Sequence, residues 1–182
     1  MNVETKEAGT YIVGLSTMPR EIDLEGKDFN EYLKHDGIPD TLVERKKNKE
    51  LGKKVRELYS KHVKTIFQAG DKQTANYKTV LGYPVEIVSQ GNPYDAKVGK
   101  TLSFLCLKDG KPLRNQFVMT GYENADGKLV TGKNLRTGKD GLIRVKLAVA
   151  GKWYVKFINM TRLTDPKINY ESKWATLTFE IK

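Results

Sequence analysis

The sequence predicts a mainly β protein: a C-terminal immunoglobulin-like antiparallel β-sandwich, preceded by a partial β domain that carries an α-helical insertion. Three observations predict it. Residues 84–182 alternate apolar and polar side chains in short runs, the period-2 pattern of half-buried strands. Turn signals separate the runs at Asp109-Gly110, Asp126-Gly127, Asp140-Gly141 and Gly151. Between residues 27 and 69 the apolar period changes to 3.6, the spacing of a helix face. The expected boundary falls at 82/83. Residues 1–82 make an incomplete N-terminal β domain with the insertion at about 27–69, and residues 83–182 make the immunoglobulin-like sandwich.

The elements follow in chain order. Gly9–Ser16 is rich in β-branched and aromatic residues and reads as a strand; Pro19 breaks it, and Glu21–Leu24 alternates again. Two strands cannot form a stable sheet alone, so these need partners elsewhere. Lys27–Lys34 reads as a short helix with Phe29, Tyr32 and Leu33 on one face and Gly37 as its stop. Pro39-Asp40 starts a second helix, with Leu42 and Val43 inward and a basic end at Arg45–Lys47. A third, longer helix is expected from Lys53. Val55, Leu58, Tyr59, His62, Val63, Ile66 and Phe67 fall at helical spacing, and Gly70 ends it. Such an amphipathic helix either packs on a sheet or lies on a membrane surface; Glu44, Glu50 and Glu57 dilute the charge and favour packing. Residues 71–83 form a polar connector.

From Pro84 onward the pattern is strand throughout. Val85–Val88 comes first, then Thr101–Leu107 with Leu102, Phe104 and Cys106 inward. Phe117, Met119 and Gly121 share a face, and Leu129–Leu135 is a weaker strand. Ile143, Val145 and Leu147 point one way, as do Trp153, Val155 and Phe157, and finally Ala175, Leu177, Phe179 and Ile181.

Bulk properties narrow the class. The 182 residues allow one large domain or two small ones. Hydrophobic content of 38% and charged content of 30% suit a folded globular chain rather than a disordered one. No apolar run approaches the roughly 20 residues of a membrane helix. The net charge of +10 is uneven: residues 1–83 hold 15 basic and 13 acidic residues, residues 84–182 hold 17 and 9. A basic domain attracts nucleic acid, anionic lipid or acidic glycan. Here the lysines alternate with apolar residues along strands, which places them on solvated faces, and nucleic acid is the disfavoured partner. The single cysteine, Cys106, forbids an internal disulfide and reads as a small core residue. Met1–Glu7 contains no apolar export core.

No catalytic apparatus is recognisable. The stretch Gly132–Asp140 has five residues between its glycines where a phosphate loop has four, and its Lys139 is followed by Asp140 rather than Ser or Thr. Two histidines and one cysteine are few ligands for zinc or nickel. His35 beside Asp36 offers at most a surface metal contact, and His62 reads as a packed, hydrogen-bonded residue. Placed on a helix, Ser60 and His62 face different directions and make no nucleophilic pair. Asp23 and Glu25 share a strand face, as surface carboxylates often do. Tyr94, Tyr122, Tyr154, Tyr170 and Trp174 fall at turn or outward positions; they either stack on sugars or bases or pack against the helical half, and packing is favoured. No residue is assigned as catalytic or cofactor-binding, no cofactor is expected, and metal ligands are undetermined.

Taken together, Ala8–Ser16, Phe29–Leu33 and Arg56–Lys64 resemble a bacterial family of unknown function, some members of which are associated with nickel or cobalt uptake. Gly82–Val88, Asn92–Tyr94, Val98-Gly99, Asp109–Pro112, Asp140-Gly141, Ala150–Trp153 and Trp174–Phe179 extend the resemblance over nearly the whole chain. It implies an exported, periplasmic or otherwise extracytoplasmic protein with two sandwich domains, the second immunoglobulin- or transthyretin-like, and no established enzymatic activity. Family members usually begin with a signal peptide and strands containing a histidine, and this chain starts about where those strands would end. A metal role resting on that histidine transfers to no residue here. The resulting expectation is a non-enzymatic binding or accessory module whose partner is a membrane or cell-envelope protein, a metal ion or a glycan. The alternatives are a structural or adhesion scaffold and a glycan-binding module.

Overall fold

A computed structural model describes residues 4–124 and 126–182; part of the Met1–Glu7 reading lies outside them. The described chain is mainly β, with two helices and two sheets. In order, its elements are β1 (Gly9–Ser16), β2 (Arg20–Leu24), α1 (Gly26–His35), α2 (Pro39–Lys47), β3 (Val55–Ala69), β4 (Val85–Ser89), β5 (Thr101–Lys108), β6 (Lys111–Pro112), β7 (Phe117–Glu123), β8 (Leu129–Arg136), β9 (Leu142–Lys146), β10 (Gly151–Arg162) and β11 (Tyr170–Ile181). The larger sheet runs β1-β3-β11-β10-β7-β8, and β2 continues the β1 side of β3. In the smaller sheet β5 bonds to β4, β6 and β9. No helix is long and apolar enough to cross a membrane among the described residues.

The third expected helix is a strand. Val55–Ala69 pairs antiparallel with β1 and β2 along one edge and parallel with β11 along the other. This corrects the helical insertion, which ends with α2, and removes the membrane-surface helix. It also supplies the partners that β1 and β2 require. Because β3 bonds to β11, a single sheet crosses the expected boundary at 82/83.

The two faces of the larger sheet are covered at different ends. One face meets the smaller sheet. Val155, Phe157, Leu177 and Phe179 pack there against Ile87, Phe104, Cys106 and Ile143. The Phe104 and Phe179 rings lie 5.3 Å apart across the layers. The opposite face, at the other end, is covered by the helices: Phe29 and Leu33 of α1 pack with Ile38 against Val55, Ile158 and Tyr170. The side-chain parity of β10 and β11 records the switch. Odd-numbered residues 153–157 and 175–181 face the smaller sheet, whereas Ile158, Met160, Tyr170 and Trp174 face the helices.

Backbone proximity seats the helices. A side chain at Gly26 would meet the Leu51 carbonyl oxygen at 2.6 Å, so α1 can begin against the 51–53 turn only with glycine there. Gly37 ends α1 at φ +77°, where a Cβ would strike Met119 Sδ at 2.7 Å. Phe117 and Met119 therefore face the helix turn, and Val118 fills the core in place of the expected Phe117, Met119 and Gly121 face. In α2, Val43 is exposed and Arg45 of the expected basic end is only 2% exposed. Its guanidinium donates to Asn30 Oδ1 and to the Glu50 and Lys53 carbonyls, and it sits over the Phe29 ring. Ion pairs Asp36–Lys156, Asp40–Arg136 and Glu44–Arg162 tie the helices to the sheet.

Candidate functional site

Strand β3 buries an unusual set of polar side chains: Glu57, Ser60, His62 and Lys64. Each has its own surroundings, and these determine what each can do.

Lys64 and Glu86 form an ion pair at 2.6 Å, both side chains almost fully enclosed. The second lysine contact is the Thr79 carbonyl. Glu86 also accepts the backbone N–H groups of Leu81, Gly82 and Tyr83. Burial pulls the Lys64 pKa below its ordinary value, against the opposing pull of Glu86. The carboxylate anchors the 79–83 connector, and its contacts are all within the chain.

Ser60 and His62, two apart on a strand, share a face after all. Ser60 Oγ lies 3.2 Å from His62 Nε2, and Ser16 Oγ of β1 lies 2.8 Å from His62 Nδ1. The Tyr83 ring packs on the imidazole. Burial, reinforced by the Lys173 charge, lowers the His62 pKa, so the ring is neutral near pH 7. Both ring nitrogens face hydroxyls, and among the described residues no carboxylate orients the imidazole as in a catalytic triad.

Glu57 is different. It is 2% exposed, yet it lines a pocket of 330 Å³. Ile22 and Leu24 come from β2, Tyr32 from α1, Tyr59 and Lys61 from β3, and Trp174 from β11. The register explains the gathering: Ile22 sits opposite Glu57 in the β2–β3 pair and Trp174 opposite Lys61 in the β3–β11 pair, all on the helix side of the sheet. Tyr32 Oη and Ser172 Oγ both donate to Glu57 Oε1, and Trp174 Nε1 donates to Ser172 Oγ. Oε2 accepts no hydrogen bond among the described residues. Every sealed side-chain nitrogen or oxygen there has a partner, so Oε2 is not sealed from solvent, and Glu57 is among the residues lining the pocket. Burial raises the Glu57 pKa, opposed by the Ser172 and Tyr32 hydrogen bonds, and among the described residues no cation pairs with it. Burial and the Glu57 charge likewise push the Tyr32 phenol upward.

Aromatic rings line this carboxylate. Tyr32 and Trp174 stack, with centroids 5.8 Å apart and planes 6° from parallel. Lys61 Nζ lies 4.7 Å from the Trp174 ring centroid and 5.8 Å from that of Tyr59. A buried carboxylate with a free oxygen beside aromatic rings can orient a small polar ligand while the rings hold its apolar part.

The other sequence candidates lie elsewhere. Asp23 and Glu25 pair with Arg56 and Lys54 at the rim of an open groove of 730 Å³, and the Asp23 carboxyl is held below its usual range first by its hydrogen bond from Arg56. His35 is exposed beside Glu31. Among the described residues no three His, Cys, Asp or Glu side chains converge to hold a metal ion. Cys106 is buried and its thiol is pushed up to about 12 by burial. Of the five outward aromatics, Tyr170 is buried against Phe29, Tyr122 packs on Trp153 and Tyr94 on the intersheet core, while Tyr154 and Trp174 are half-buried. Sequence reasoning singled out Trp174 but passed over Tyr32 and Glu57 as a packing residue and a surface charge.

The fold and pocket define a two-sheet β protein with a helical cover and a polar, aromatic-lined cavity. The family described as a domain of unknown function, DUF4198, matches residues 1–161, and the chain belongs to that family. No curated protein and no solved structure matches the chain.

Proposed function

We propose that this protein is a non-enzymatic, extracytoplasmic binding or accessory module with an immunoglobulin-like sandwich, and that its ligand enters the Glu57 pocket. One observation carries the reading: a carboxylate enclosed by protein keeps one oxygen free toward an aromatic-lined cavity. Buried polar groups are ordinarily satisfied, so such a group marks a place where something else completes the bonding. The extracytoplasmic location and the association with nickel or cobalt uptake rest on the sequence resemblance. Direct metal ligation would need more donors than the one carboxylate of the pocket, so the module's place in metal uptake is accessory.

A protein-observed NMR screen of monosaccharides, small amines, Ni²⁺ and Co²⁺ tests the reading. At least one of them should shift the Tyr32, Tyr59 and Trp174 signals, and Trp174→Ala should abolish the effect. Silence at those residues across the screen would reject the pocket as the binding site and leave a structural or adhesion scaffold as the better account.

A second reading, a hydrolase, draws on the 2.8 Å contact between the exposed Ser16 hydroxyl and a neutral His62. A fluorophosphonate probe discriminates. Covalent labelling that Ser16→Ala removes would establish the enzyme; an unlabelled Ser16 leaves the contact structural.

A further inference from the structure

The charge balance of the Glu57 pocket narrows its ligand. The carboxylate is 2% exposed and makes no ion pair among the described residues. A carboxylate buried without a counter-charge is disfavoured as the anion, and a cation seated beside it favours the charged form. The aromatic faces beside it attract cations through their quadrupoles. Lys61 already demonstrates this, with its ammonium drawn over Trp174 and Tyr59 although it is exposed and does not reach Glu57. Ile22 and Leu24 supply an apolar wall on the β2 side.

These features favour one class of ligand. A divalent metal ion would find a single carboxylate and no imidazole or thiolate in the pocket lining. A neutral sugar would use the rings but leave the Glu57 charge unbalanced. An alkylammonium group uses everything: its charge meets Glu57 Oε2, its methyl or methylene groups meet the rings, and its chain meets Ile22 and Leu24. We propose that the pocket binds an organic ammonium group, seated against Glu57 and the rings of Trp174 and Tyr59, with Lys61 as an internal competitor at its mouth. The proposal rests on the reading of this pocket as a ligand site and adds the ligand's chemistry.

The test is a calorimetric titration of the full chain with choline and with n-butylammonium, set against 3,3-dimethylbutan-1-ol, the neutral counterpart of choline. At least one ammonium should bind saturably, and choline about tenfold more tightly than the alcohol. Glu57→Gln, which keeps the shape and removes the charge, should weaken ammonium binding about tenfold while circular dichroism stays unchanged. Lys61→Ala should tighten it several-fold. Trp174→Phe, a milder change than truncation, should weaken it less than Glu57→Gln does. Equal affinity for choline and the alcohol, unchanged affinity in Glu57→Gln, or no binding of either ammonium at about 10 mM would overturn the proposal. If the ammonium ions fail while a sugar or metal ion shifts Trp174 in the NMR screen, the assignment falls and the binding module stands. If nothing perturbs the pocket, both fall.

Discussion

The two covered regions of the larger sheet were built by different rules. Where the smaller sheet covers it, the core cluster is apolar: Phe104, Val155, Phe157, Leu177 and Phe179 pack together, and the thiol among them, Cys106, is sealed. Where the helices cover the other face, the packing of Phe29, Leu33 and Tyr170 gives way to a hydrogen-bonded chain from Trp174 through Ser172 to Glu57 and an opening to solvent. Strand β3 passes through both regions and carries a buried charge in each. At the sandwich end Lys64 is matched by Glu86; at the helix end Glu57 has no counter-charge among the described residues. A charge matched inside the chain holds structure, while an unmatched one beside a cavity leaves its cost unrelieved by the fold.

The largest expected effect lies at the sandwich end. Phe104→Ala should cost about 3–5 kcal/mol, read as a lower urea midpoint, because the close-packed layers cannot collapse onto the void. A loss under about 1 kcal/mol would mean that the two sheets do not share this core.

Next comes the matched pair. Glu86→Ala should destabilise by about 3 kcal/mol by stranding the Lys64 cation and three backbone N–H groups. The double variant Lys64→Met, Glu86→Leu should recover part of that loss, since it removes both charges together. A double variant no better than the single one would place the effect in the connector contacts alone.

The unmatched charge should behave in the opposite way. The folded-state pKa of Glu57 is raised, so the folded protein holds this proton more tightly than the unfolded chain. The associated stability is present at low pH and is lost as pH rises through the folded value. Glu57→Gln should therefore raise the melting temperature at pH 7 by about 2–4 °C, corresponding to about 1 kcal/mol, with the gain disappearing near pH 4. Destabilisation by Glu57→Gln at pH 7 would show that the carboxylate is matched after all.

The smallest effect is chemical. Cys106 in the folded protein should not react with a disulfide reagent near neutral pH, because its thiol is buried and its thiolate disfavoured. Reaction at the rate of the unfolded chain would mean that the sandwich end opens readily.

Runs of one parity were legible in the sequence: β5, β9, Trp153–Phe157 of β10 and Ala175–Ile181 of β11 alternate, and the short helices followed from Phe29, Leu33, Gly37 and Pro39. Strand β3 was not legible, for a physical reason. Its buried side changes from Val55 and Glu57, toward the helices, to Ser60, His62, Lys64 and Ile66, toward the smaller sheet. The change of parity, with half-buried Leu58, Tyr59, Val63 and Phe67 between, leaves apolar residues three and four apart, which imitates a helix. The site was hidden with it. Read on a helix, Glu57 is a surface charge and Ser60 points away from His62. Only the register with β2 and β11 brings Glu57, Tyr59 and Trp174 to one face.

Glu57 sits buried in the lining of the pocket, with no counter-charge among the described residues. Carbon-13 NMR of the Glu57 side-chain carboxyl, followed through a pH titration and assigned with Glu57→Gln, measures it directly. The midpoint should lie above the ordinary 4.5 of a glutamate and move downward when choline is added. A midpoint at or below 4.5 that ignores choline would contradict it.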